Sequence, residues 1–262
     1  MMIKNTESTL FCGYSEVVQG RHQVLDHNPK AIKLFKIELS QYSNVIDMLS
    51  RALTPLELKR ARKYHQIKDS NRFIICRSFL KIIIAQRNHL KIPDICFEKS
   101  NNHKPFFPLD PSLFFNVSHA GDFALIAIGN CELGVDVEYI NPQFQYDDIL
   151  PTVFSADEIK FIHDSDSERH TFYKLWTRKE AIVKATGKGI DENFINIPVT
   201  DGCHKISSCL VSDFKNLSVS SFNLNEDHIS SLAITRDDIN IDSVMFQVNP
   251  TLDDIEALIE LE

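Results

Sequence analysis

A chain of 262 residues with 43% hydrophobic and 24% charged side chains has the composition of a globular protein with one large core or two modest ones. No apolar run approaches the roughly 18 residues of a membrane span, and the opening M-M-I-K-N-T-E-S lacks a leader's apolar stretch, which predicts no membrane partner and a cytoplasmic location. The net charge of −8 is uneven: 18 Lys+Arg face 14 Asp+Glu in residues 1–139, and 10 face 22 in residues 140–262, which argues against wrapping a nucleic acid yet leaves a basic half able to hold a compact polyanion.

Residues 1–30 are polar and carry no clear period, which predicts irregular chain. The alternation of Ala31–Leu39 predicts a strand. Thr54-Pro55-Leu56-Glu57 is a helix start, with a threonine cap, proline at the first helical position and a glutamate closing a capping box. A basic helix follows through Lys59, Arg60, Arg62 and Lys63, then a longer helix from Ser70 to His89. Leu113–Ser118 and Phe123–Gly129 read as a hairpin turning at Ala120-Gly121-Asp122. The order then repeats: Ser155-Ala156-Asp157-Glu158 is a second capping box, Thr171–Thr186 a second long helix ended by Gly187, and Ser218–Leu224 with His228–Thr235 a second hairpin. The closing T-L-D-D-I-E-A-L-I-E-L-E predicts a short amphipathic acidic helix. This doubled order predicts an α+β fold of two similar lobes, residues 1–130 and 131–262, with the active site between them. The six cysteines show no C-x-x-C spacing, which predicts reduced thiols and argues against a thiolate zinc site.

Several segments carry chemistry. Asp136 and Glu138 stand two apart in a strand-like segment, so both carboxylates share one face. Two such groups repel unless a cation neutralises them, and hard oxygen ligands select magnesium. Alone, the same pair also fits a solvated strand. Trp176, Glu180 and Lys184 stack on one helix face, with Glu180 the third candidate ligand; an ordinary i,i+4 pair accounts for Glu180 and Lys184 but not for Trp176 or the Gly187-Lys188-Gly189 turn. Ser118-His119 ends a strand with two phosphate donors, although a lone histidine is more often structural. Lys104 stands in a stiff loop, and Arg60 and Arg72 offer guanidinium forks suited to a terminal phosphate.

Taken in order, Lys104-Pro105, Asn116-x-Ser118-His119, Gly134-x-Asp136-x-Glu138 and Trp176-x-x-Lys179-Glu180-Ala181-x-x-Lys184 resemble the 4′-phosphopantetheinyl transferase superfamily. The length and doubled lobes resemble its Sfp-type branch, the monomeric activators of carrier proteins. The resemblance implies transfer of 4′-phosphopantetheine from coenzyme A to a serine of an apo acyl- or peptidyl-carrier protein, with release of adenosine 3′,5′-bisphosphate. It implies magnesium, or manganese, held by Asp136, Glu138 and Glu180. Lys184 would stabilise the departing phosphate, and Glu180 would take the serine proton directly or through water. Arg60, Arg72, Lys104, Ser118, His119 and Lys184 would lie near the coenzyme A phosphates. Relatives often carry lysine where Glu57 stands, which would shift recognition of the 3′-phosphate to Lys59 or Arg60; Phe73 faces adenine or packs in the core. The alternatives are a catalytically idle paralogue that binds coenzyme A or a carrier, and a different magnesium-dependent phosphoryl transferase or phosphodiesterase; no Walker-type loop supports the latter.

Overall fold

A capping box starts one helix in each half of this fold. In the computed structural model, which describes residues 7–19, 32–235, 243–247 and 249–260, Thr54 accepts the N–H of Glu57 and its own N–H donates back to the Glu57 carboxylate at 3.0 Å. Ser155 and Glu158 do the same, also at 3.0 Å. Each capping glutamate then meets a buried lysine of the following long helix: Glu57 stands 3.6 Å from Lys81, and Glu158 3.2 Å from Lys179. The polar caps thus anchor helix starts to the interior at equivalent places in both halves.

Along the chain run β1 (Glu7–Tyr14), β2 (Glu16–Gln19), β3 (Lys33–Glu38), α1 (Ile46–Ser50), α2 (Pro55–Ala61), α3 (Ile67–Asn88), β4 (Glu98–Lys99), β5 (Pro105–Phe106), β6 (Phe114–Ala120), β7 (Phe123–Gly129) and β8 (Leu133–Tyr139). There follow α4 (Leu150–Val153), α5 (Ala156–His163), α6 (Glu168–Thr186), β9 (Gly202–Ser207), β10 (Asn216–Asn225), β11 (His228–Ile234), β12 (Ser243–Gln247) and α7 (Leu252–Glu260). One sheet has the order β2-β12-β3-β7-β6, the other β8-β11-β10-β1-β9. Strand, capped helix, long helix and hairpin therefore occur twice, and the mixed α+β fold of two sheet-containing lobes stands as expected.

The layers follow from strand alternation. On β7, Ala124, Ile126 and Ile128 join the core beneath α3, while Leu125 and Ala127 face the second sheet. On β8, Leu133, Val135 and Val137 fill that same space between the sheets. The opposite face of β8, which carries Gly134, Asp136 and Glu138, is left to α6.

Residues 7–19 correct the expectation of irregular chain. Leu10 and Cys12 of β1 are buried beside exposed Glu7 and Phe11, and β1 runs parallel to β10 in the second sheet. The rest of residues 1–30, namely 1–6 and 20–30, lies outside the described residues. At the other end, β12 inserts between β2 and β3 of the first sheet, and Ile255 and Ile259 of α7 pack into the core beneath α3. The chain thus crosses a boundary at residue 130 at both termini.

The six cysteines form no disulfide with one another, with Cys12, Cys76 and Cys131 buried and Cys96, Cys203 and Cys209 exposed. Burial pushes the Cys12 and Cys76 thiols up to about 12. Iodoacetamide at about pH 8 should therefore alkylate the exposed three in the native protein and spare the buried three, because only the thiolate reacts. Peptide mass spectrometry reads the pattern, and prompt labelling of Cys12 would contradict this packing. Among the described residues no helix is long and apolar enough to cross a membrane.

Candidate active site

Strand β8 and helix α6 have matching repeats. Two strand residues advance about 6.6 Å and four helix residues about 6 Å, so alternate residues of β8 meet successive turns of α6. Gly134 lies against the helix backbone, where an added Cβ would stand 2.2 Å from the Ala181 carbonyl oxygen and 2.4 Å from Ala185 N. That absent side chain lets the helix approach closely enough for its polar face to reach the next two strand positions. Lys184 Nζ donates to Asp136 Oδ1 at 2.5 Å and to Ser118 Oγ at 3.2 Å. Trp176 Nε1 donates to Glu138 Oε1 at 3.2 Å.

Ser118, His119, Asp136, Glu138, Trp176, Glu180 and Lys184 line one cleft of about 300 Å³. Burial, then the neighbouring Asp136, pushes the Glu138 carboxyl up to about 7. Burial also raises Asp136, against the pull of Lys184, and raises Glu180, with Asp136 adding to the effect. Among the described residues no three His, Cys, Asp or Glu side chains are arranged to hold a metal ion as they stand. Asp136 Oδ1 is engaged by Lys184, and Glu138 Oε1 by Trp176, so the expected triad shares a cleft without forming a closed coordination shell. The donor chemistry nonetheless fits a hard cation. Asp136 Oδ2 is buried without a hydrogen-bond partner, and one ammonium, that of Lys184, faces three carboxyls whose pKa values are raised.

A second cleft, of about 410 Å³, shares Val117 and His119 with the first and is lined by Arg60, Arg72, Arg77, Tyr64 and Phe73. Arg72 pairs with Asp69 at 2.9 Å, and the Arg60 guanidinium lies 4.8 Å from the Phe73 ring centre. Phe73 packs partly on the core while lining this cleft, and Lys59 does not line it. Partial burial, then Arg72, holds the His119 imidazole below its ordinary value. Beyond Glu138 a third cleft, of about 400 Å³, is aromatic, with Tyr139, Phe144, Phe172, Tyr173 and Trp176 in its walls.

Lys104 lines none of these three clefts. Its ammonium pairs with the Glu132 carboxylate and donates to the carbonyls of Leu133 at 3.2 Å and Ala185 at 3.0 Å. It ties the C-terminal end of α6 to the start of β8. Ser118 is likewise committed. Its hydroxyl donates to Asp136 Oδ1 at 2.9 Å and accepts from Val137 N at 3.3 Å.

Residues 132–235 match the family model described as the 4′-phosphopantetheinyl transferase superfamily, and residues 40–131 match that of the 4′-phosphopantetheinyl transferase N-terminal region. A Bacillus pumilus 4′-phosphopantetheinyl transferase, psf-1, is 31% identical over 166 residues, covering 61% of this chain and 70% of the relative. The chain belongs to the 4′-phosphopantetheinyl transferase superfamily. The Sfp transferase of Bacillus subtilis strain 168 is 28% identical over 154 residues, 58% of this chain and 67% of its own. A putative transferase of a Synechocystis strain is 33% identical over 144 residues, 53% and 58% of the two chains.

Within this superfamily fold, several positions have roles that their sequence alone does not announce. Asn116 Oδ1 accepts the N–H of Val135 at 2.9 Å, and Ser118 Oγ accepts that of Val137. Two side chains of β6 thereby stand in for backbone acceptors and stitch the edge of one sheet to β8 of the other. The N-x-S alternation was the available signal, since both residues share one strand face. Trp176 orients Glu138. Arg77, legible only as a helix charge, lines the arginine cleft.

Proposed function

We propose that the protein moves 4′-phosphopantetheine from coenzyme A to a serine of an apo acyl- or peptidyl-carrier protein and releases adenosine 3′,5′-bisphosphate. The observation that carries this reading is the meeting of Asp136, Glu138, Glu180 and Lys184 in one cleft that opens onto a cleft of three arginines. Such a trough suits a pyrophosphate with a phosphorylated nucleoside at one end, and the aromatic cleft beyond Glu138 suits the pantetheine arm. Asp136, Glu138 and Glu180 would hold magnesium, or manganese in its place, which when bound neutralises the pyrophosphate charge. Glu180, its pKa raised by burial, takes the proton of the attacking serine hydroxyl. Lys184 places its ammonium against the phosphate that departs, a contact that strengthens as charge develops. Arg60, Arg72 and His119 receive the nucleotide end. Lys104 and Ser118 serve this site by holding α6, β6 and β8 together, with Ser118 within reach of the same phosphates.

The same proposal assigns nucleotide binding to residues 1–130 and the acidic and catalytic side chains to 131–262. It includes a monomer acting in the cytoplasm on carriers of polyketide or nonribosomal peptide assembly, without nucleic acid or membrane. Incubation with coenzyme A, magnesium and a panel of apo-carriers should add the mass of phosphopantetheine to at least one of them, and a chelator should stop the reaction until magnesium or manganese is restored. A panel left unmodified under all these conditions would overturn the transferase reading, and full rate after chelation would overturn the metal assignment.

A further inference from the structure

The aromatic cleft takes part of its wall from an irregular segment, residues 140–146, which directly follows β8. Irregular chain at a surface keeps a fixed shape only where its backbone is tied down. Arg169 ties this one. Its Nη1 donates to the Asn141 carbonyl at 2.8 Å and to the Phe144 carbonyl at 2.7 Å, and Asn141 and Phe144 both line the cleft. The guanidinium lies 5.1 Å from the Tyr146 ring centre. Arg169 is the second residue of α6, where the helix dipole disfavours a cation, so the two carbonyls and the ring are what account for its placement. From Tyr146 the rings run on as a column. Tyr146 stacks on Phe172 at 4.4 Å, Phe172 on Trp176 at 6.2 Å, and Trp176 Nε1 donates to Glu138. Arg169 itself lines none of the three clefts, yet it grips the loop and the far end of the stack whose near end is a carboxylate of the acidic cleft.

We infer that Arg169 is a positioning residue for the pantetheine arm of coenzyme A: by fixing residues 141–146 it pre-forms the wall against which the arm lies. This rests on the transferase reading, which puts the pyrophosphate in the acidic cleft and leaves the arm to the aromatic cleft beyond Glu138. The arm carries a geminal dimethyl group and two amides. Aromatic faces interrupted by the Asn141 side chain suit that mixture of apolar and hydrogen-bonding groups. Without Arg169 the segment has to be ordered when the ligand arrives, and ordering is subtracted from affinity. The loss falls on the arm alone, because the nucleotide and pyrophosphate meet side chains of other elements.

The test compares coenzyme A with adenosine 3′-phosphate 5′-diphosphate, which keeps the nucleotide and pyrophosphate and has no arm, on the wild type, Arg169→Gln and Arg169→Lys with magnesium present. Calorimetric affinity is one readout; acrylamide quenching of Trp176, the single tryptophan of the chain, is the other. In the wild type coenzyme A should bind more tightly than the armless nucleotide and shield Trp176 better. Arg169→Gln should weaken coenzyme A roughly tenfold and leave the armless nucleotide within about twofold. Arg169→Lys keeps a donor for the two carbonyls and should fall in between; it carries the comparison if the glutamine variant does not fold. A general loosening of the fold would weaken both ligands together. Equal losses for the two ligands, unchanged coenzyme A affinity, or a wild type in which both ligands shield Trp176 alike overturns the inference. So does a rise confined to the KM for the carrier, which would give the segment to the carrier instead. If the affinity ratio shifts as expected while no carrier is modified, the role of Arg169 stands and the transferase reading falls.

Discussion

Gly134→Ala should disable the protein at a single methyl group. The new Cβ would stand 2.2 Å from Ala181 O, 2.4 Å from Ala185 N and 2.9 Å from Lys184 C, all of them helix backbone that cannot rotate aside. Helix α6 has to retreat from β8 by an ångström or more, and overpacking of this kind costs about 1–3 kcal/mol or above. In a protein of this size that lowers Tm by roughly 2–4 °C per kcal/mol. The kinetic effect should be larger. Glu180 and Lys184 ride on α6 while Asp136 and Glu138 stay on β8, and a misplacement of about 1 Å is enough to lose roughly 10²-fold in rate. Gly189→Ala is the comparison: a Cβ there meets nothing within 4 Å, so only the strain of its φ of 76° remains, about 1 kcal/mol. Thermal unfolding and carrier modification measure both variants. Wild-type melting and turnover in Gly134→Ala would show that this close approach does not set the site.

Lys184→Ala should separate stability from chemistry. Asp136 is 4% exposed and Lys184 28%, so removing the lysine strands the more deeply buried partner. Breaking a fully buried pair costs about 3–5 kcal/mol, and the exposure of Lys184 reduces the expected loss to about 2–3 kcal/mol. Adding Asp136→Asn removes the stranded charge, so the double variant should regain much of the lost stability. It should not regain activity. Turnover in Lys184→Ala should fall roughly 10²–10³-fold with a much smaller change in coenzyme A affinity, as expected for a contact made mainly in the transition state. Weakened binding with wild-type turnover would contradict the role in assisting departure of the phosphate. A double variant no more stable than the single one would mean that the Lys184–Asp136 pair is not what holds α6 to β8.

Much of this was legible in the chain because the signals are local. The capping boxes at Thr54 and Ser155, the stop at Gly187 and the two hairpins are each written within a few neighbouring residues, and each forms where its pattern predicts. That these side chains gather in one cleft was legible for a related reason: the i,i+2 spacing of Asp136 and Glu138 and the i,i+4 spacing of Trp176, Glu180 and Lys184 fix which side chains share a face. Spacing did not reveal partners. Lys104 looked available for a phosphate, yet three acceptors supplied by Glu132, Leu133 and Ala185 surround it, two of them backbone carbonyls whose positions depend on the whole fold. The surroundings of Arg77 were not legible because Glu57, Phe73 and Phe97 come from separate parts of the chain. The strand β1 escaped for the same reason, since its partners are β9 and β10, about two hundred residues further on.

The exchange of chain ends has a consequence for biosynthesis. Until β12 is synthesised, β2 has no ladder partner and β3 pairs with β7 alone, while β1 has to wait for β9 and β10. Neither sheet can be completed by a ribosome-tethered amino-terminal half, so the two halves are interdependent at birth. Completion of the layer begun near the start depends on a strand synthesised near the end, like a latch drawn across a door.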